Sequence, residues 1–119
     1  MKIMAIALAL VALALSSPVL SHAMLDRASP SVGGKVKGSP PRLELWFSEE
    51  LEPAFSTVKV VDNAGKQVDK GDKTFDSRDR SHMVVSLPIL PPGRYRVVWR
   101  ALSIDTHATA GDFTFDVAP

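Results

Sequence analysis

The sequence of 119 residues contains no cysteine, and this absence excludes disulfide scaffolds, cysteine-ligated zinc, iron–sulfur clusters and thiol catalysis together. Aromatic residues make up only 7% of the chain, yet 45% of its residues are hydrophobic, which is too apolar for a disordered protein. A glycine-rich phosphate loop, a His-Glu-x-x-His motif and a Gly-x-Ser-x-Gly motif are also missing. The length leaves room for one small globular domain, and no motif marks it as an enzyme.

The longest apolar run is too short to span a bilayer. It covers 13 residues, Ile3–Leu15, after a single lysine, whereas a membrane-spanning helix needs about 20. Small residues follow this run, so residues 1–21 are predicted to be a cleaved secretory signal peptide and residues 22–119 the mature domain. The alternatives are a signal peptide that ends at Ala23 and an uncleaved membrane anchor.

The mature domain also lacks a net charge. Removal of the signal peptide leaves 13 basic and 13 acidic side chains, without a basic face of the kind that binds nucleic acid. The one positive series, Arg94, Arg96 and Arg100, is spaced for one face of a strand. We interpret it as the solvated outer face of a sheet, with a phosphate or partner contact as the alternative.

What the mature chain does have is an alternation of apolar and polar residues with a period of two, interrupted by proline and glycine. The alternating segments lie at 43–48, 57–60, 82–87, 94–104 and 112–117, of which 94–104 is the longest. About seven short strands without a long helix predict two antiparallel sheets packed face to face, as in immunoglobulin-like sandwiches. Without a disulfide, four aromatic side chains are expected to supply the packing: Tyr95, Trp99, Phe113 and Phe115.

The three histidines are the residues that suggest a chemistry. As the new amino terminus, His22 would offer an amine and an imidazole nitrogen to one metal ion. Asp105 and His107 are two residues apart, so on extended backbone they would share one face and add an oxygen and a nitrogen. Three nitrogens and one carboxylate favour Cu(II), with Zn(II) second. The alternative is a local hydrogen-bonded pair at the surface, and His82 is interpreted as a solvated strand-edge residue.

Six segments of the sequence, taken in their order and spacing, resemble those of a known protein family. They lie at 22–25, 28–30, 45–49, 92–99, 103–107 and 111–115. The most specific features are the histidine at the mature terminus, the Phe-Ser-Glu at a strand end, and the block from Tyr-x-Val-x-Trp to Asp-x-His. Over the whole mature chain, these segments resemble the CopC/PcoC family of periplasmic copper-binding proteins.

The resemblance implies a seven-stranded antiparallel Greek-key β-sandwich or barrel, cupredoxin-like in outline, located in the periplasm. It implies one Cu(II) per chain, bound by the amino terminus, His22, Asp105 and His107. It also implies that Glu49 lies near the metal, where it could hydrogen-bond the amine or an imidazole; the alternative for Glu49 is a solvated acidic loop. The implied role is a monomeric copper chaperone or buffer in homeostasis or resistance, delivering to a CopD-like inner-membrane partner.

Two differences between this sequence and many family members bear on which copper ion it is expected to bind. Many members carry a methionine-rich loop that binds Cu(I), but residues 86–93 contain no methionine, and Met24 stands where many members have histidine. We therefore expect Cu(II) binding alone.

Two other functions stay open. One is a small copper oxidase or monooxygenase, since an amine with two imidazoles also resembles the copper brace of polysaccharide monooxygenases. The other is an envelope interaction module in which the histidines bind no metal.

Overall fold

The computed structural model describes residues 23–119, so the predicted signal peptide and His22 lie outside the described residues. Eight strands occupy this part of the chain. They are β1 (Leu25–Ser29), β2 (Lys35–Lys37), β3 (Arg42–Phe47), β4 (Thr57–Val61), β5 (Thr74–Asp76), β6 (Asp79–Ser86), β7 (Gly93–Leu102) and β8 (Ala108–Ala118). A 3₁₀ turn at Pro53–Phe55 precedes β4. Within residues 23–119, no helix is long and apolar enough to cross a bilayer.

The strands form two four-stranded sheets that enclose one hydrophobic core. The strand order is β1-β3-β6-β5 in the first sheet and β2-β8-β7-β4 in the second. Apart from the β5–β6 and β7–β8 pairs, consecutive strands lie in different sheets, which is the connectivity of Greek-key sandwiches. The predicted all-β sandwich is therefore confirmed.

The sandwich differs from the prediction in strand number, direction and length. It has eight strands instead of about seven. The five alternating segments correspond to β3, β4, β6, β7 and β8, whereas β1 has no apolar alternation and β2 and β5, at three residues each, are too short to display one. β2 pairs with β8 in parallel, so the second sheet is not wholly antiparallel. β8 begins at Ala108 rather than Asp112 and, at 11 residues, is longer than β7, which ends at Leu102 rather than near Ile104.

The core is built from the inward positions of the longer strands. These positions alternate with half-buried or exposed ones along β3, β6, β7 and β8. Their side chains are Leu43, Leu45, Phe47, Met83, Val85, Tyr95, Val97, Trp99, Ala101, Phe113, Phe115 and Val117. Tyr95 stacks on Phe115 at a centroid distance of 5.7 Å, and Trp99 meets Phe47 edge-on at 5.1 Å. The four aromatic residues expected to supply the packing are all buried.

The outer face of the second sheet carries the arginine series. Arg94 pairs with Asp116 at 2.9 Å and Arg96 with Asp112 at 2.7 Å, and Arg94, Arg96 and Arg100 are exposed. Exposed pairs of this kind contribute little to stability. The interpretation of this series as a solvated outer face is confirmed.

Several chain segments converge at one end of the sandwich, which we call the loop end and define by residues 23–25, 48–56 and 102–109. The register pairs Leu25 with Phe47 and Leu102 with Ala108 there. A backbone hydrogen bond also joins the segment after β3 to the end of β7 in the other sheet: Glu52 N donates to Leu102 O at 2.8 Å. The loop end contains every predicted site residue that the structure describes.

Candidate metal centre

The connection from β7 to β8 is a tight turn that carries two predicted ligands. Thr106 N donates to Ser103 O at 2.9 Å, and Ser103 N donates to His107 O at 3.0 Å. The turn gives Thr106 a φ of 73°, in the left-handed region that β-branched residues rarely adopt. The backbone between Asp105 and His107 is therefore not extended, and the prediction that strand geometry would align them is wrong.

The turn nevertheless brings the two side chains together. Asp105 Oδ1 lies 3.3 Å from His107 Nδ1, and the side chains are 47% and 38% exposed, respectively. The hydroxyl of Ser103 donates to the same carboxylate oxygen. This hydrogen bond, and after it the interaction with His107, holds the pKa of Asp105 below its ordinary value despite partial desolvation. The site thus presents an ionised carboxylate and an imidazole that a solvated cation can reach.

Glu49 lies next to this pair. With Glu50, Ile104 and Asp105 it lines a shallow cavity of about 340 Å³. Glu49 Oε2 is buried and has no hydrogen-bond partner among residues 23–119. A buried carboxylate oxygen without a donor is costly, which indicates that a donor or a cation completes its surroundings. Such a position suits a group that hydrogen-bonds an amine or an imidazole beside a metal.

The start of the described chain is anchored to two segments, one close in sequence to His107 and one next to Glu49. Ala23 is fully buried, and its carbonyl accepts a hydrogen bond from Thr109 Oγ1 at 2.8 Å. Met24 N donates to Ser48 Oγ at 2.9 Å, and Ser48 N donates to Met24 O at 2.8 Å. Thr109 lies two residues after His107, and Ser48 directly precedes Glu49. The chain therefore enters the domain between the elements that hold these two side chains.

Residues 23–119 do not by themselves present a complete set of metal ligands. Within that range, no group of three His, Asp or Glu side chains is arranged to hold an ion. Asp105 and His107 form a pair with Glu49 nearby, and the fourth predicted site residue, His22, lies outside the described residues. A cation at this position would need ligands in addition to the pair.

His82 is not the solvated strand-edge residue that the sequence suggested. It lies in β6, between β3 and β5, and its side chain is only 15% exposed. The ring stacks on Trp46 at 4.5 Å, Nε2 lies 3.1 Å from Glu44 Oε1, and Nδ1 lies 3.6 Å from Asp76 Oδ2. Both ring nitrogens face carboxylates of the first sheet, so His82 belongs to a separate cluster.

Sequence reasoning missed three hydroxyl side chains that shape the site. Ser48 and Ser103 each stand one residue beyond a strand end, and Thr109 stands near the start of β8. Hydroxyl side chains at such positions often bond to nearby backbone groups. Their positions at strand ends could have indicated this role, although not their partners.

Comparison with known proteins gives consistent matches. A family model described as the CopC domain matches residues 25–118. Copper resistance protein C of Escherichia coli is 32% identical over 105 residues, covering 82% of each chain. Protein YobA of Escherichia coli (strain K12) is 33% identical, covering 93% of this chain and 91% of that protein. Copper transport protein CutJ of Bacillus subtilis (strain 168) is 35% identical over 99 residues, and there the match spans only 18% of the longer relative.

Two solved structures extend these matches to the fold. CopC from Methylosinus trichosporium OB3b has a TM-score of 0.77 at 35% identity, with 82% of this chain and 95% of that chain covered. PcoC, a methionine-rich copper resistance protein from Escherichia coli, has a TM-score of 0.72 at 33% identity, with 82% and 100% covered. The similarity therefore extends over nearly the whole length of both solved proteins.

Proposed function

This chain belongs to the CopC family. Because its relatives include a copper resistance protein and a copper transport protein, we propose that it is a periplasmic protein that binds one Cu(II) ion. It acts as a copper chaperone or buffer in homeostasis or resistance, and it is monomeric and not an enzyme. The predicted signal peptide supports export, since cleavage releases the domain of residues 22–119.

The proposed ligands are the amine and imidazole of His22, together with Asp105 and His107. The observation that carries this proposal is the hydrogen bond from Thr109 Oγ1 to Ala23 O, at 2.8 Å. It ties the residue after His22 to the strand that begins directly after His107. Adjacent Cα atoms are about 3.8 Å apart, so cleavage before His22 would create the new amino terminus close to the Asp105–His107 pair.

This ligand set matches the chemistry of Cu(II). Three nitrogens and one carboxylate oxygen suit tetragonal coordination, and Cu(II) has the highest affinity of the divalent series for such sites. The α-amine has an ordinary pKa of about 7.7 to 8, so a strongly Lewis-acidic ion can displace its proton near neutral pH. Glu49 is proposed to accept a hydrogen bond from that amine or from an imidazole, which would supply its buried oxygen with a donor.

The methionines support binding of Cu(II) without a separate Cu(I) site. The mature domain contains two of them: Met83 is fully buried, and Met24 is 60% exposed. Soft thioether ligands select Cu(I), and one accessible thioether cannot form a cluster. The chain thus differs in this respect from PcoC, whose structure is described as that of a methionine-rich protein.

Delivery to a CopD-like inner-membrane partner is the proposed fate of the ion. In the longer CutJ, described as a copper transport protein, the stretch similar to this chain is 18% of the whole. This supports a pairing of such domains with transport machinery. The partial exposure of Asp105 and His107 would let ligands of the partner approach the ion.

A Cu(II) titration of protein exported and processed in a bacterial periplasm tests the proposal, with a competing chelator, an EPR readout and intact mass to verify that the chain starts at His22. We expect one tight equivalent with a nitrogen-rich tetragonal signal. His107→Ala should weaken binding by more than about 100-fold, since loss of a group outside the ligand set already costs roughly 10- to 100-fold. His82→Ala, which removes a histidine outside the site, is the matched control.

A second variant isolates the amine. One glycine inserted before His22 keeps every side chain but moves the amine out of the chelate, so it should weaken Cu(II) binding and change the EPR spectrum. Weak or multiple binding by the correctly processed chain would contradict the proposal and favour an envelope interaction module. Ascorbate-dependent O₂ consumption above that of free copper, lost in His107→Ala, would instead indicate an oxidase.

A further inference from the structure

The turn between β7 and β8 is organised around one buried hydroxyl. Ser103 is fully buried, and a hydroxyl group has one proton to donate. Two acceptors lie within its reach, Asp105 Oδ1 and, at the longer distance of 3.3 Å, His107 O, so the proton is directed to Asp105; Ser103 Oγ accepts a hydrogen bond from His107 N at 3.3 Å. The backbone of Ser103 binds both Thr106 N and His107 O. One residue therefore contacts both described ligand candidates and the residue between them.

From these contacts we infer that Ser103 is the positioning residue of the copper site, an inference that rests on the proposed function. Ser103 Oγ and His107 Nδ1 both approach Oδ1 of Asp105. The other carboxylate oxygen, Oδ2, is the one that these two groups leave for a cation. Ser103 thereby selects which oxygen of Asp105 meets the ion and fixes the backbone from which the imidazole of His107 extends.

The hydrogen bond from Ser103 restricts Asp105, which is an exposed side chain. A side chain that is 47% exposed would otherwise sample several rotamers, and a cation would have to restrict them on binding. A hydrogen bond from a fully buried group removes much of that freedom before the ion arrives, which is preorganisation in the ordinary sense. Ser103 is itself fixed, because it forms a β-bridge with the fully buried Leu51.

The same bridge connects the ligand pair to Glu49. Leu51 follows Glu49 by two residues, and Ile104 N donates to Glu50 O at 3.2 Å. The segment with Glu49 and the turn with Asp105 are thus held in register next to Ser103. Removal of the hydroxyl alone should leave this backbone pairing in place and release only the carboxylate and the His107 amide.

The test compares two serines of equal burial. Ser56 is also fully buried, and its Oγ accepts a hydrogen bond from Leu102 N at 3.1 Å, one residue before Ser103. Ser103→Ala and Ser56→Ala delete the same group at neighbouring positions. Chelator competition and EPR on both variants, exported and starting at His22, would report Cu(II) binding, and thermal unfolding of the metal-free forms would report stability.

We expect both variants to lose stability and only Ser103→Ala to lose Cu(II) affinity, by roughly 10- to 100-fold, with altered copper hyperfine splitting. Ser103→Thr keeps the hydroxyl and should restore the wild-type spectrum. Equal affinity and spectra for wild type and Ser103→Ala would overturn the inference while leaving the proposed function intact. Absence of tight binding by the wild type would instead overturn the proposed function and this inference with it.

A crystal structure of the copper-loaded wild type provides a second measurement if Ser103→Ala does not fold. Ser103 Oγ should stay within hydrogen-bond distance of Asp105 Oδ1 while the ion is on Oδ2. A hydroxyl turned away from Asp105 would contradict the inference.

Discussion

Three short hydroxyl side chains supplement the backbone hydrogen bonds of the loop end. Ser48 binds the amide of Met24, Thr109 binds the carbonyl of Ala23, and Ser103 binds the carboxylate of Asp105. Each has few rotamers to lose, so it can fix a backbone or carboxylate group at a small entropic cost. In the proposed site, binding of the ion would then fall to the longer side chains of Asp105 and His107.

Thr109→Val tests whether one of these hydroxyl groups fixes the amino-terminal segment. Valine has nearly the shape of threonine without the donor, so the Ala23 carbonyl would lose its partner and the amino-terminal segment its attachment to β8. We expect a loss of about 0.5–1.5 kcal/mol in the free energy of unfolding and a fall of roughly tenfold in Cu(II) affinity. Denaturant unfolding and chelator competition would measure the two. Thr109→Ser, which keeps the hydroxyl, is the control, and unchanged affinity in Thr109→Val would contradict the anchoring role.

The surroundings of individual residues were the part of the structure that the sequence predicted least well. Asp105 and His107 do lie together, but through a turn and not through the extended backbone that the prediction assumed. That turn could not be predicted, because a β-branched residue such as Thr106 disfavours positive φ. The surroundings of His82 were likewise missed. Its partners Glu44 and Asp76 lie on two other strands, and only strand register brings them together.

At the level of elements, alternation predicted the longer strands and missed the short ones, although Val36 of β2 and Phe75 of β5 also pack against the core. β3, β6 and β7 have apolar residues at every second position, whereas β2 and β5 are three residues long. The first half of β8, Ala108–Gly111, has small residues and threonine and no apolar alternation, so its start was placed too late. Tertiary pairing with β7, and not local pattern, makes this segment a strand.

Within that first part of β8, packing explains why residue 111 is a glycine. Gly111 lies opposite Trp99 in the register, and the indole ring covers it so closely that an added Cβ would lie 2.6 Å from Cζ2. No real Cβ atom tolerates such a distance, so the ring or the strand would have to move. The glycine thus lets the indole of Trp99 approach the backbone of β8 while the same ring packs against Phe47 at an interplanar angle of 71°.

Gly111→Ala should therefore destabilise the sandwich by about 1–3 kcal/mol, the usual range for overpacking. Ala110→Ser, at the exposed neighbouring position, should change the free energy of unfolding by less than about 0.5 kcal/mol. Urea unfolding of both variants measures the difference. Equal stability of Gly111→Ala and wild type would show that Trp99 repacks without strain.

On the scale of the whole molecule, the proposed copper site joins distant parts of the chain. The amino terminus of the mature domain and the turn before β8 would share one ion, next to the segment after β3. A ligand that binds only the folded state stabilises it by RT ln(1 + [L]/Kd), or about 2.7 kcal/mol when free ligand is 100 times Kd.

Cu(II) at that excess should raise the Tm of the processed protein by about 10 °C or more, since 1 kcal/mol shifts a domain of this size by several degrees. Thermal unfolding by circular dichroism measures the shift, with His107→Ala and the form with an extra glycine before His22 as controls. Neither control should show more than a small shift. An equal shift in all three proteins would point to copper binding elsewhere.

The hydrogen bond between Ala23 and Thr109 spans 86 residues of sequence, and β2 pairs with the last residues of β8. Contacts of this separation require closure of nearly the whole chain, and such topologies fold on the millisecond to second scale. His22 is synthesised before β8, the strand that begins directly after His107. A chain in which β8 has not yet paired with β7 would therefore lack the proposed copper site, and the capacity to bind the ion would arise only once that strand has docked.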